Sequence, residues 1–289
     1  MHFYLDCIPC LLKGAIATVK LATEDHELQE KTMRRVLEKM ARFEVQNSPP
    51  YFTALLQEII EKECACFDPY KEVKQRFNRG MLELYPYLEK VVNESANPFE
   101  QAIRYAASAN IIDFGIFSDI TIEQAQKTLE KCVNMPLCGN TAAELKQDIE
   151  HAQKILYLAD NSGEIVLDKL LLTRMPREKV TYVVKGHPAI NDALMEDAQE
   201  VGIKDLVRVI DNGTTLPLPG TVLEHCSPAF RQEFTAADLI IAKGQGNFET
   251  LDELPDKKMY FIFKAKCNVV TSYLGCSPGD IILKKFFPA

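Results

Sequence analysis

Lys154-Ile155-Leu156-Tyr157-Leu158-Ala159-Asp160-Asn161-Ser162-Gly163-Glu164 decides how the chain is read, because a short apolar run gives way at once to a polar turn containing glycine. Helical periodicity resumes after the turn, and the same order of strand, glycine-bearing turn and helix recurs downstream. Strands are expected at Lys154 to Leu158, Val180 to Val184, Leu206 to Ile210, Leu239 to Ala242 and Met259 to Ala265, with a last short one at Ile281 to Lys284. Alternating strands and helices are the mark of βαβ units, so the expected fold class is α/β, with a mainly parallel sheet and helices on both faces.

Upstream the pattern differs. From Leu11 to roughly Glu150 apolar residues recur three and four apart, as in Leu11, Leu12, Ala15, Ile16, Val19 and in Val73, Phe77, Met81, Tyr85, Leu88. Breaks at Ser48-Pro49-Pro50, Asp68-Pro69, Asn97-Pro98 and Cys138-Gly139-Asn140 divide this half into about six helices. With 289 residues the chain exceeds the size at which one core usually divides. Two domains are expected, an all-helical one over residues 1–150 and an α/β one over residues 151–289.

The formal charge of -8 leaves no Lys/Arg stripe for a nucleic-acid backbone, so a small partner is expected instead. No basic leader and no apolar run of about 18 residues is found, so a membrane span is not expected. Nine cysteines, an odd number, fit reduced thiols in a cytoplasmic protein better than a disulfide framework.

The chemistry concentrates in the turns that follow the strands, since loops at strand C-termini converge on the ligand crevice of an open parallel sheet. Asp160 and Asn161 place a carboxylate and an amide oxygen side by side before a helix N-terminus. Lys185-Gly186-His187-Pro188-Ala189-Ile190-Asn191-Asp192 adds another amide and carboxylate, and Asp192 completes an oxygen-rich site for Mg2+ or Mn2+. Lys243-Gly244-Gln245-Gly246-Asn247-Phe248-Glu249 offers glycines for close backbone approach to a phosphate and a lysine to balance its charge. Lys264 and Lys266 reach the same edge. Metal-assisted transfer of a phosphoryl group to water is the expected reaction.

Taken in order, DNSGE, KGHPAIND, KGQGNFE and FKAKC resemble the damage-control phosphatases, also called domain-of-unknown-function family 89, over nearly the whole chain. Cys7-Ile8-Pro9-Cys10 ahead of a helical region resembles the prokaryotic branch. The resemblance implies a Rossmann-like α/β domain behind a helical region, and one divalent cation among Mg2+, Mn2+, Co2+ and Ni2+. It implies hydrolysis of small phosphorylated metabolites, sugar phosphates or cofactor-like esters, in the removal of damaged or surplus compounds. Carried over by motif, Asp160, Asn161 and Asp192 are the metal ligands and, with Lys243, the catalytic set. Lys243, Gly244, Gly246 and Asn247 hold the phosphate, with Ser162, Gly163, Glu164 and Asn191 beside them. The eukaryotic branch has Arg-Thr-x-Lys where this chain has Lys264-Ala265-Lys266-Cys267, and Lys266 is assigned the phosphate role.

Competing readings are a non-catalytic nucleotide- or sugar-phosphate-binding module, and an S-adenosylmethionine-dependent carboxyl methyltransferase, for which no GxGxxG-like turn follows the first strand. Asp160 as a nucleophile is a further alternative, but Ser162 stands where haloacid-dehalogenase phosphatases place a second aspartate, so water is preferred. Asp160, Asn161 and Asp192 also suit plain helix caps. Cys7 and Cys10, with Cys64 and Cys66, have the look of zinc half-sites or a redox pair, although reduced, partly buried thiols are the simpler reading. His187 is read as a loop residue.

Overall fold

Apolar runs flanked by glycine turns do form strands in the computed structural model, which describes residues 1–42, 47–108, 122–133, 135, 137–254 and 257–286. The chain begins with α1 (Cys7–Ala22), α2 (His26–Met40), α3 (Pro49–Cys64), α4 (Lys71–Glu94), α5 (Pro98–Ser108) and α6 (Ile122–Val133). It continues with β1 (Leu137–Gly139), α7 (Ala142–His151), β2 (Ile155–Leu158), α8 (Glu164–Leu172), β3 (Val180–Val184), α9 (Met195–Glu200) and β4 (Arg208–Asp211). Then follow α10 (Pro228–Ala236), β5 (Leu239–Lys243), α11 (Gly244–Leu251), β6 (Met259–Lys264), α12 (Asn268–Leu274) and β7 (Ile281–Phe286). Local chemistry marks the starts. Ser48 caps α3 ahead of Pro49 and Pro50, and Thr141 with Glu144 forms a reciprocal capping box on α7.

The seven strands make one sheet in the order β1-β7-β6-β5-β2-β3-β4. All pairs are parallel except β6 with β7. Successive residues of a strand point to opposite faces, and the core divides accordingly. Ile155, Tyr157, Tyr182, Ile241 and Ile262 pack under α4, α5, α7, α8 and α9, whereas Leu156, Leu158, Ile240, Ala242 and Phe261 pack under α10, α11 and α12. Being covered on both faces, the inner strands β2, β3, β5 and β6 read as near-continuous apolar runs.

Strand order reverses between β2 and β5, which pair directly although β3 and β4 lie between them in sequence. The crevice of a doubly wound sheet opens at such a point, above the strand C-termini. Asp160 follows β2 there, and Gly244 follows β5.

The packing does not divide at residue 150 as expected. Leu137 to Gly139 form a sheet strand beside β7, and α4, α5 and α7 share one core with the sheet. Among the described residues only α1, α2 and α3 have a core of their own, built on Phe3, Val19, Val36, Phe52 and Ile60. This helical unit meets the α/β body where α3 touches α11. Among the described residues no helix is long and apolar enough to cross a membrane.

Candidate active site

The turns after β2 and β3 are laced together by backbone. Ala193 N donates to Asp160 O at 2.8 Å, Ser162 N donates to Asn191 O at 2.9 Å, and Asn161 and Asp192 form an antiparallel bridge. The lacing brings Asp160, Asn161 and Asp192 to one place. Asn161 Nδ2 donates to Asp160 Oδ2 at 2.7 Å, which uses the amide's nitrogen and leaves its oxygen for another partner. Ile190, just before Asn191, holds φ at 50°, a left-handed conformation that a β-branched residue adopts only under constraint.

Two glycines make the close packing possible. A β-carbon on Gly244 would lie 2.0 Å from Asp160 Cγ, and φ there is +81°. One on Gly163 would lie 2.4 Å from the Phe77 ring of α4. Asn78, next to Phe77, accepts the Gly163 N–H at 2.7 Å and donates to Asp197 and Glu200, each at 2.9 Å. Helix α4 therefore braces the turn from behind.

Asp160, Asn161 and Asp192 are all buried. Burial, and then the neighbouring Asp192, push the Asp160 carboxyl up to about 7 against the pull of Lys266, Lys185 and Lys243. Burial likewise raises Asp192 to about 6, against Lys185. Asp192 Oδ2 has no hydrogen bond among the described residues, and Lys185 Nζ, which donates to Gly220 O, stands 3.5 Å from it. Two buried carboxylates, one of whose oxygens has no hydrogen bond and only the Lys185 ammonium near it, beside an amide oxygen, are a donor set that fits a hard divalent cation. Among the described residues no three His, Cys, Asp or Glu side chains gather, so a cation here would rest on two carboxylates and the Asn161 amide.

A sequence model of the damage-control phosphatase ARMT1-like domain matches residues 3–282. The chain belongs to this family. An uncharacterized protein of Methanocaldococcus jannaschii is 32% identical over 97% of this chain and 94% of its own length. Proteins named damage-control phosphatase are 30% identical in Pyrococcus horikoshii, over 98% of this chain and 97% of their chain, and 31% identical in Archaeoglobus fulgidus, over 96% and 97%. The crystal structure of a domain-of-unknown-function 89 protein from Pyrococcus horikoshii superimposes with a TM-score of 0.90 at 29% identity, covering 99% of both chains. The α/β fold and the resemblance to the damage-control phosphatases are borne out together.

Not every motif residue of this damage-control phosphatase family member reaches the crevice. Lys243, expected to hold phosphate, is fully buried, and its ammonium donates to Ala106 O at 2.7 Å, Glu164 Oε1 at 2.7 Å and Asp168 Oδ1 at 2.6 Å. All three donors are committed, which corrects that expectation. Burial alone would lower the lysine, but Asp168 and Glu164 outweigh it and raise it. Glu164, pushed up to about 7 by burial against Lys243, belongs to the same buried pair rather than to a phosphate cradle. Asn247 is likewise occupied, donating to Ala159 O at 3.1 Å and Lys243 O at 2.8 Å and accepting from Thr221. Gly246 packs on Gly220. Ser162 Oγ is buried without a hydrogen bond among the described residues, and Asn191 lends the turn its carbonyl.

Lys264 and Lys266 both line the small crevice beside Asp160, Glu164 and Gly244. Lys266 is the exposed one. Three further residues support the site without having been assigned a role from the sequence. Asp168 collects Lys243, Tyr157 at 2.7 Å and Tyr182 at 2.6 Å beneath the sheet edge, Asn78 braces Gly163, and Lys185 faces Asp192. A polar Lys74 and Asn78, four apart beside the apolar stripe of α4, were the available signal. Cys7, Cys10, Cys64 and Cys66 are free thiols and no metal cluster forms around them among the described residues. His187 lies 3.6 Å from Glu61 and edge-on to Phe67 at 4.8 Å, tying its loop to the α3 end.

Proposed function

We propose that this chain hydrolyses small phosphate monoesters with one divalent cation, Mg2+, Mn2+, Co2+ or Ni2+, held by Asp160, Asn161 and Asp192. The observation that carries the reading is the buried, incompletely satisfied Asp160–Asp192 pair at the point where strand order reverses. Family membership and relatives named damage-control phosphatase support a phosphatase in metabolite repair. When bound, the cation supplies positive charge where negative charge gathers on the phosphoryl oxygens. Lys266, at the open side of the crevice, neutralises a further phosphoryl oxygen, and α11, whose start has no side-chain cap, begins at the same crevice with the positive end of its dipole. Gly244 lets that helix start against Asp160. Lys243, sealed among Glu164, Asp168 and Ala106, fixes the floor on which the ligands stand.

The test is hydrolysis of p-nitrophenyl phosphate by chelator-stripped protein to which each cation is restored in turn. Activity is expected only with added metal, and Asp160→Asn or Asp192→Ala should lower it on the order of 100-fold or more. Equal turnover in the presence of chelator would remove the cation from the mechanism. Binding of phosphate esters with no turnover under any metal would favour the non-catalytic module.

A further inference from the structure

The two turns that carry Asp160, Asn161 and Asp192 are tied together from behind by a buried side chain of α4. Asn78 Oδ1 accepts the Gly163 N–H at 2.7 Å, two residues beyond Asn161. Asn78 Nδ2 donates to Asp197 Oδ1 at 2.9 Å, and Asp197 Oδ2 in turn accepts the Leu194 N–H at 2.9 Å, two residues beyond Asp192. The path Gly163, Asn78, Asp197, Leu194 closes a ring with the backbone bonds that join Asp160 to Ala193 and Ser162 to Asn191. Each turn is therefore held to the other on two sides.

The composition of this path suits a clamp better than a filler. Filling the space under Gly163 needs only an apolar group, which Phe77 already supplies. Asn78 instead uses its whole amide, the oxygen toward Gly163 and the nitrogen toward Asp197 and Glu200, so its orientation is fixed. Asp197 is also buried, and Lys74 Nζ, 2.8 Å from Asp68 and 3.6 Å from Asp197, compensates its charge. The rigidity of the span matters to a cation. Mg2+ demands near-ideal octahedral geometry at short distances, whereas the larger Ca2+ accepts irregular and longer coordination, so a fixed span favours the smaller ion.

Resting on the metal-site reading above, we propose that Asn78 is a positioning residue that, through Asp197, fixes the span between the Asp160–Asn161 turn and the Asp192 turn and thereby selects a small cation such as Mg2+ over Ca2+.

The first measurement needs no metal. In full-length, chelator-stripped protein, Asn78→Ala removes the acceptor of the Gly163 N–H but leaves Leu194 its bond to Asp197. Coupling predicts faster hydrogen exchange at both amides by NMR, about fivefold or more relative to Ile241 in the core of β5. Asp197→Asn is nearly isosteric and offers one acceptor oxygen in place of two; it should speed Gly163 as well as Leu194, although Gly163 keeps its acceptor. Should Asn78→Ala fail to fold, Asp197→Asn carries both measurements. Faster exchange only at the amide nearest the substitution, or equally at all three, overturns the proposal. Calorimetry then compares cations. In either variant the affinity for Mg2+ should fall about tenfold or more while that for Ca2+ changes less than about threefold. Equal losses for the two cations also overturn the proposal, because general loosening weakens both alike. If neither cation binds the unmodified protein, the metal reading falls and the cation preference with it, and the exchange result still decides whether Asn78 ties the two turns.

Discussion

A methyl group on Gly244 would meet the Asp160 carboxylate at 2.0 Å from a backbone at φ +81°, so either the ligand or the start of α11 must move. Displacements of about 1 Å at a reacting centre cost on the order of 100-fold in rate, and Gly244→Ala should lose that much turnover. Gly14, in the middle of α1 with nothing within 4 Å, is the control: Gly14→Ala should keep its turnover and gain about 0.5–1 kcal/mol of stability, read from paired thermal melts. Lys243 invites a different experiment. With Glu164 and Asp168 as buried partners, Lys243→Met strands two carboxylates and should cost about 3–5 kcal/mol in urea unfolding. A raised KM with unchanged stability would restore the phosphate role that its glycine-rich setting suggests. That Asp160, Asn161 and Asp192 come together was legible because each sits in a polar turn after a strand. The sequence concealed the depth of Lys243, whose carboxylate partners lie 79 and 75 positions away, and the brace at Asn78, 85 positions from Gly163. Local pattern reports which groups neighbour in the chain, and burial is set by packing across it.

At the level of elements the same limit explains why packing across residue 150 does not show in the sequence. Helical periodicity shows that α4 and α5 each bury a face, but not that the face lies on a sheet. β1, three residues long and placed at a Cys-Gly-Asn break, offers too little pattern to be read as a strand and is recognisable only from its pairing with β7. The inner strands β2, β3, β5 and β6 were legible because double-sided burial demands continuous apolar runs. Helix α7 is fastened to this edge by Asp148, which accepts from Lys258 at 2.8 Å, Lys285 at 2.8 Å and Tyr260 at 2.7 Å. Burial raises its carboxyl, but these three donors outweigh burial and bring it down from 3.8 to about 2. A carboxylate depressed on folding stabilises the protein fully above its unfolded value and loses that contribution as pH falls through the folded one. Asp148→Asn should therefore cost about 2 kcal/mol at neutral pH, with the gap to the unmodified protein closing between pH ~4 and ~2. Denaturant midpoints at pH 7 and near pH 2 check this, and a gap of equal size at both would assign the loss to packing.

Across the whole molecule, the proposed cation site would set stability against activity. In the metal-free protein Asp160 is raised to about 7, first by burial and then by Asp192, so its charged form is less favoured folded than unfolded. A carboxyl raised on folding has the sign opposite to Asp148: its cost grows as pH climbs above the unfolded value near 3.8 and is complete above about 7. Asp160→Asn removes that cost, and the metal-free variant should gain about 1–2 kcal/mol at pH 8, the exchange of stability for function common at active sites. Metal must act in the reverse direction. A cation at 100 times its Kd adds about 2.7 kcal/mol to the native state. For a chain of this size that raises Tm by several degrees, at roughly 2–4 °C per kcal/mol. The two melting curves should therefore cross: without Mn2+ the Asp160→Asn protein unfolds at the higher temperature, and with saturating Mn2+ the unmodified protein does. Paired melts at pH 8 with chelator and with Mn2+ measure all four values. Equal Mn2+ gains in both proteins would mean that the cation binds somewhere other than between Asp160 and Asp192.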